Sequence, residues 1–310
     1  DPDICQKTGA KVNGWYFGQL IPEKKVAWSY QCGKIYTEAS EALKKCYPQV
    51  EFRHAGYVYK ETLKHAVDDL IAAGCETIVY QSFCNPVYSD FEEFAYALPL
   101  VYEYAAGRAQ IICADQLGNQ PALREAYFAL LRDQLKTLPP EANGLVILSK
   151  HGHPFKKETQ DEHGALYREP LEAGIRQILA EHGGEWEVVW SCDEYADEYY
   201  DKKHMKFETH AAYRKAIDAG YDYAIEIPTE FLAENTDLMI FHAMKKFNAF
   251  AEYNCNNPVP YPDWEMPLVR TFREGKTTGI YAGVPVGPYR KYVVKALVDS
   301  ITQVLGEREL

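Results

Sequence analysis

Short runs of consecutive apolar residues alternate along this chain with longer stretches in which apolar residues return every three or four positions. The short runs, bounded by Gly, Pro, Asn or Asp, read as buried strands, and the period near 3.6 reads as amphipathic helix. The pattern predicts strands over Val50–His54, Thr77–Phe83, Ala109–Ala114, Gly144–Ser149, Glu187–Ser191, Tyr223–Ile227 and Thr278–Ala282. Helices are predicted over Tyr36–Cys46, Lys60–Ala73, Phe91–Ala105, Pro121–Thr137, Pro170–His182, His204–Ala219, Thr236–Tyr253 and Tyr289–Leu305. Gly74, Gly107, Gly183 and Gly220 each fall just past a helical pattern, where the left-handed closing turn favours a residue without a Cβ. Strand and helix in alternation indicate βαβ units, and hence an α/β fold with parallel sheets. Thr137–Gly144 reads as an ordinary helix-to-strand turn, and a domain boundary is expected near Asp115–Gln120. Asn254–Lys276, rich in Pro and Asn, reads as a long irregular loop.

Length changes this picture only by permitting two halves: 310 residues at 47% hydrophobic composition can build two modest α/β cores. A formal charge of −12 argues against a nucleic-acid partner, which needs a basic surface. No run reaches the roughly 18 apolar residues of a membrane span, so a cytoplasmic protein without a transmembrane segment is expected. The eight cysteines include no C-x-x-C pair and read as free, buried thiols in a reducing compartment. A chain that opens on Asp1 rather than Met is expected to be processed or part of something longer. The acidic run Asp193–Asp201 reads as a solvated face.

In an open parallel sheet, ligands bind beyond the carboxyl ends of the strands. Four segments follow strand ends: Ser82–Ser89, Ser149–Pro154, Ser191–Asp201 and Pro228–Asp237. In the second, S-K-H-G-H-P, the turn made by Gly152 and Pro154 projects His151, an imidazole suited to metal ligation or proton transfer near neutral pH. In the fourth, Glu234 and Asp237 stand three apart at a helix start and share one face. His242 would join that face only through a π-bulge. Spacing by itself leaves the function open. A His after a strand is more often a hydrogen-bonded turn residue, acids at a helix start ordinarily serve the dipole, and His153, His163, His204 and His210 read as surface residues.

Taken in order, these motifs resemble the ferrochelatase family from roughly Tyr36 to Leu305. S-K-H-G-H-P is similar to the family's S-A-H-G-L-P, which puts its catalytic, metal-facing His on His151. G-C-E-T-I-V-Y-Q-S-F-C-N-P-V-Y-S at 74–89 resembles the family's glycine, strand and L-P-L-Y-P-Q-Y-S, with Pro86, Tyr88 and Ser89 matching directly. I-P-T-E-F-L-A-E-N-T-D at 227–237 resembles P-I-x-F-x-S-D-H-x-E-T, so the family's acidic position falls on Glu234, its His on Asn235 and its catalytic Glu on Asp237. G-V-P-V-G-P-Y-R-K-Y-V-V-K-A-L-V-D-S-I at 283–301 resembles V-P-x-L-N-D-x-P-x-F-I-x-A-L-A-D-L. Asn235 and Asp237 depart from the family pattern, as does the lack of a clear first strand before the Gly- and aromatic-rich stretch Val12–Ile21.

The resemblance implies two Rossmann-like, chelatase-type halves, residues 1–116 and 117–287, with the helix in 288–310 packing back on the first. It implies a lyase of heme biosynthesis that inserts a divalent metal, Fe2+ in the first place, into a porphyrin. His151 and Asp237 would be catalytic, and His151, Glu234 and Asp237 would handle the metal. Phe83, Pro86, Tyr88, Ser89, Trp15 and Tyr16 would bind the ring. The metal is a substrate; no tightly bound cofactor and no iron–sulfur cluster are expected. Two alternatives stay open: a chelatase for a corrinoid or sirohydrochlorin-type ring, whose carboxylates would call on Lys150, Lys156 and Lys157, and a non-catalytic tetrapyrrole or metal carrier or assembly subunit.

Overall fold

A computed structural model describes residues 27–55, 60–82, 97–150, 158–192, 209–234 and 263–306. In chain order, α1 (Ala27–Cys46) and α2 (Lys60–Ala72) precede β1 (Thr77–Tyr80), α3 (Leu98–Ala105) and β2 (Gln110–Cys113). Then come α4 (Pro121–Leu135), β3 (Gly144–Lys150), α5 (Glu158–His182), β4 (Trp186–Cys192), α6 (Thr209–Asp218) and β5 (Tyr223–Pro228). A hairpin of β6 (Arg270–Glu274) and β7 (Thr277–Tyr281) leads into α7 (Arg290–Gly306).

Among the described residues β1 and β2 form a two-stranded parallel sheet, and the other strands form a second sheet in the order β4-β3-β5-β7-β6. In the larger sheet β4, β3, β5 and β7 run parallel, while β6 closes one edge antiparallel to β7. Helices cover both of its faces, as an all-parallel core requires. On one side Val146, Leu148, Ile225, Ile227 and Ile280 pack with α1, α4, α5 and α7. On the other, Leu145, Ile147, Ala224 and Tyr281 pack with Ala212, Tyr213 and Ala216 of α6. Each large aliphatic side chain so buried is worth about 1.5–3 kcal/mol, and a one-residue slip would exchange the two faces of the strand. A smaller core joins Leu63 and Val67 of α2 and Val101 and Ala105 of α3 to Ile78 of β1. The last helix packs on α1 and α4, and its Ser300 hydroxyl meets the Gln81 side chain at the end of β1 at 2.6 Å.

Six of the seven predicted strands are present to within a few residues; Val50–His54 is not a strand. That segment has the right composition, but among the described residues no strand lies beside it to complete a ladder. The structure instead adds β6, inside the stretch expected to be irregular. Its single buried residue, Phe272, lies across the ring-sized gap left by Gly279 of β7, where a Cβ would come within 1.9 Å of the Phe272 ring. The helix predicted from Tyr36 begins at Ala27, and the one predicted from Pro170 begins at Glu158 with Pro170 inside it. Proline there removes the bond to the Leu166 carbonyl; Leu166 is 71% exposed, so water can take that carbonyl, while Tyr167 and Leu171 anchor the helix in the core. The expectation of buried thiols holds for Cys32 and fails for Cys46 and Cys113, which are exposed, at a helix end and on β2. The predicted helix Thr236–Tyr253 and the run Asp193–Asp201 lie outside the described residues. No helix among the described residues is long and apolar enough to cross a membrane.

Candidate functional site

From β3 the chain crosses to β4 on one side and then returns to β5 on the other, so the winding of the larger sheet reverses between β3 and β5. At such a point two crossover connections leave in opposite directions, and a crevice opens beyond the carboxyl ends of the strands. Ser149 of β3 stands opposite Pro228 of β5, and Ser149 stands opposite Ser191 of β4. Lys150 is the last residue of β3, and the S-K-H-G-H-P motif therefore continues from this point.

The segment leaving β5, residues 228–234, is buried throughout. A loop with that burial needs a partner for each backbone polar group, and partners come from several elements. The Thr229 amide donates to the Ser149 carbonyl at 2.9 Å, and the Thr229 hydroxyl reaches the same oxygen at 3.2 Å. The Tyr167 hydroxyl of α5 donates to the Thr229 carbonyl, and the Tyr127 hydroxyl of α4 donates to the Phe231 carbonyl at 3.0 Å. Burial raises the pKa of both phenols above the ordinary tyrosine range, which keeps them protonated as donors. Arg168 approaches Glu230 with Nε at 3.0 Å and Nη2 at 2.7 Å, both on Oε1.

This clamp ends on Glu234, which is fully buried. The Tyr281 hydroxyl donates to its Oε2 at 3.2 Å, and the Val284 amide donates to its Oε1 at 3.3 Å. Its own amide donates to Oε1 of Gln31 at 2.8 Å, while Nε2 of Gln31 donates to the Trp264 carbonyl at 2.9 Å. The Val284 amide is turned toward the carboxylate by the bend at Gly283, whose φ of +75° suits glycine. A Cβ at Gly283 would also come within 2.9 Å of the Leu268 backbone. On the α6 side of the sheet lies a second buried carboxylate, Glu226, which stands opposite Tyr281 and accepts a hydrogen bond from Tyr213 at 3.1 Å. Burial, and then the neighbouring Glu226 charge, push the Tyr213 hydroxyl well above the usual tyrosine range. Beyond Glu226 on the same face, the buried Ser149 hydroxyl meets no hydrogen-bonding partner among the described residues, while Ser191 is paired with Thr209 at 2.6 Å.

Of the residues expected to form the site, the structure describes Glu234. His151, Asp237, Phe83, Pro86, Tyr88, Ser89, Trp15 and Tyr16 lie outside the described residues, as do Asn235, Lys156, Lys157 and His242. His210, expected on the surface, is half-buried, and burial lowers its pKa from the usual imidazole value. Among the described residues no three His, Cys, Asp or Glu side chains are grouped as a metal cage. Gln31, Tyr281, Glu226 and the Arg168–Glu230 pair were not singled out by sequence. A charged or amide residue inside an apolar pattern was the available signal, at Glu226 within its strand and at Gln31 within its helix.

No protein-family model matches the chain, and no curated protein matches it. Among solved structures, one described as "SirB from Bacillus subtilis with Fe3+" is similar, with a TM-score of 0.48 and 12% sequence identity over 87% of this chain and 89% of that one.

Proposed function

We propose that this chain is a metal–tetrapyrrole chelatase, a lyase that inserts a divalent metal, Fe2+ in the first place, into a porphyrin held at the carboxyl ends of β3 and β5. The observation that carries the reading is the adjacency of those two strands. β3 ends one residue before His151, β5 runs into the clamped segment that ends on Glu234, and the two strands pair directly although β4 lies between them in sequence. The motif bearing the imidazole and the motif bearing the carboxylates thus leave the sheet side by side, where its winding reverses. On this reading the two sheets belong to two Rossmann-like halves, with the ring bound where their strand ends meet.

Metal insertion exchanges two pyrrole N–H protons for one divalent cation. The ring therefore needs a base on one face and a weak, exchangeable metal relay. His151 takes a pyrrole proton or passes on the metal, and Asp237 receives the second proton. Glu234, held by Tyr281 and the Val284 amide, fixes negative charge beside the path of the cation. A mixed nitrogen and oxygen donor set of this kind suits Fe2+, Co2+, Ni2+ and Zn2+. Phe83, Pro86, Tyr88 and Ser89 supply the ring-binding wall that follows β1.

The test is anaerobic mixing of the protein with free-base porphyrin and Fe2+, Co2+ or Zn2+, following metalloporphyrin absorbance. His151→Ala and Asp237→Asn should each lower turnover by about 10²-fold or more, with porphyrin affinity largely kept. Turnover undiminished in His151→Ala would remove the proposed base. Turnover with sirohydrochlorin and not porphyrin would reassign the ring, and stoichiometric binding without turnover across rings and metals would make the protein a carrier.

A further inference from the structure

Among the described residues of α1, Gln31 is the one polar side chain that is buried, at 1% exposure. The helix meets the core through Cys32, Ile35, Ala39 and Leu43, a stripe at helical spacing, and Gln31 lies beside that stripe. A side chain needed there for packing alone would be apolar, because a primary amide taken out of water is costly unless its oxygen and its nitrogen both find partners. Here both do. Oε1 accepts the Glu234 amide at 2.8 Å, and Nε2 donates to the Trp264 carbonyl at 2.9 Å. Gln31 therefore joins two backbones, the end of the segment that leaves β5 and the segment that leads into β6, which lie 203 and 233 positions from it in the chain.

The Trp264 end of this bridge is itself held in place. Glu265, the next residue, accepts hydrogen bonds from Tyr30 of α1 and from Arg290 at the start of α7, the latter at 2.6 Å. Arg290 also donates to Glu38 of α1 at 2.8 Å, and the Tyr30 and Trp264 rings meet with centroids 5.8 Å apart. Fixed from α1 and α7 together, the Trp264 carbonyl gives Gln31 a stationary point from which to hold Glu234. Glu234 is then secured at both ends. Tyr281 and the Val284 amide hold its two carboxylate oxygens, and Gln31 holds its amide. A carboxylate anchored at its oxygens alone can still tilt as its backbone shifts; fixing the amide removes that freedom.

We propose that Gln31 is a positioning residue for the Glu234 carboxylate: by tying the Glu234 amide to the Trp264 carbonyl, it sets where that carboxylate stands relative to the divalent cation. The inference rests on the reading of Glu234 as a group beside the path of the cation, and Gln31 acts through Glu234 without itself meeting the metal or the ring. Residues that orient metal-facing groups typically govern affinity or activity by about 10–100-fold. A plain structural staple has a different signature. Its loss would weaken the fold whatever the ligand, and its effect on metal binding would multiply with that of a change at Glu234 instead of vanishing when Glu234 is altered.

Calorimetric titration of the full chain with Co2+ tests this, comparing Gln31→Met, Glu234→Gln and the double variant. Gln31→Met keeps the length of the side chain and removes both hydrogen-bonding ends. It should raise the Co2+ Kd by about 10-fold or more and leave the porphyrin Kd unchanged. Added to Glu234→Gln, it should change the Co2+ Kd by less than about 2-fold. An unaltered Co2+ Kd in Gln31→Met would overturn the proposal, as would an equal loss of porphyrin affinity, full multiplication in the double variant, or a Co2+ Kd indifferent to Glu234→Gln. If Gln31→Met fails to fold, Gln31→Asn, an amide one methylene too short to reach both backbones, is read by the same criteria. Turnover separates this inference from the reaction it rests on. Weakened Co2+ binding in Gln31→Met, in a chain that metallates no ring, supports the positioning role and removes the chelatase; metal insertion whose KM for Co2+ ignores Gln31→Met keeps the chelatase and overturns the positioning role.

Discussion

Three glutamates four residues apart, Glu226, Glu230 and Glu234, are all fully buried, and each is provided for by a different element. Glu226 takes a phenol from α6, Glu230 a guanidinium from α5, and Glu234 a phenol from β7 and an amide beyond it. A buried carboxylate is tolerated only with such partners. Removing the cation from Glu230 leaves a stranded charge, so Arg168→Met should destabilise the fold by about 3–5 kcal/mol. The double variant with Glu230→Leu should recover most of that loss, both measured by urea unfolding. Tyr281→Phe keeps the ring and deletes the donor to Glu234, for an expected loss of about 1–3 kcal/mol in the same assay. Glu234 was singled out in the sequence through its motif. Its partners were not, because Tyr281 lies 47 positions away, Val284 50 and Gln31 203.

Among the elements, the strands of the larger sheet were the most legible, since a strand buried on both faces reads as an unbroken apolar run. Helix starts were the least. Local propensity places a proline at the first turn, whereas α5 continues through Pro170 because Tyr167 and Leu171 on either side of it are buried. The proline is itself exposed. Pro170→Ala should therefore restore a helical hydrogen bond without disturbing the core and raise stability by up to about 3 kcal/mol, read as a higher unfolding midpoint at unchanged slope in denaturant. β6 escaped the sequence pattern for a related reason. With one buried side chain it has little hydrophobic signal, and its place is set by the fit of Phe272 over Gly279.

Across the whole molecule, the shifted groups lean toward loss of stability in acid. The hydrogen bond and charge of Lys215 hold Glu187 below the usual carboxylate range, and hydrogen bonds from Tyr30 and then Arg290 do the same for Glu265. A carboxylate depressed in the folded state adds stability above its unfolded value near 4.5, and this is lost as pH falls through the folded value. His210 acts in the same direction at higher pH. Burial, and then Arg214, keep it neutral when folded, opposed by Glu274, while the unfolded chain takes up a proton near 6.5. The melting temperature should fall from pH 7 toward pH 4, and His210→Gln should flatten the part of that decline that begins as pH falls through the unfolded imidazole value near 6.5. A calorimetric pH series on both proteins checks this; an identical upper limb in the variant would show that His210 does not contribute.

By itself the sequence determined the α/β class, most strands of both sheets and the positions of their helices, because these depend on which residues can leave water along a few consecutive positions. It also marked the strand ends where chemistry was to be sought. Tertiary structure alone decided that β3 lies beside β5 and that Glu226, Glu230 and Glu234 are enclosed. Those outcomes rest on hydrogen bonds and packing between residues tens to hundreds of positions apart, and the periodicity of a local segment carries no record of which distant segment will complete it.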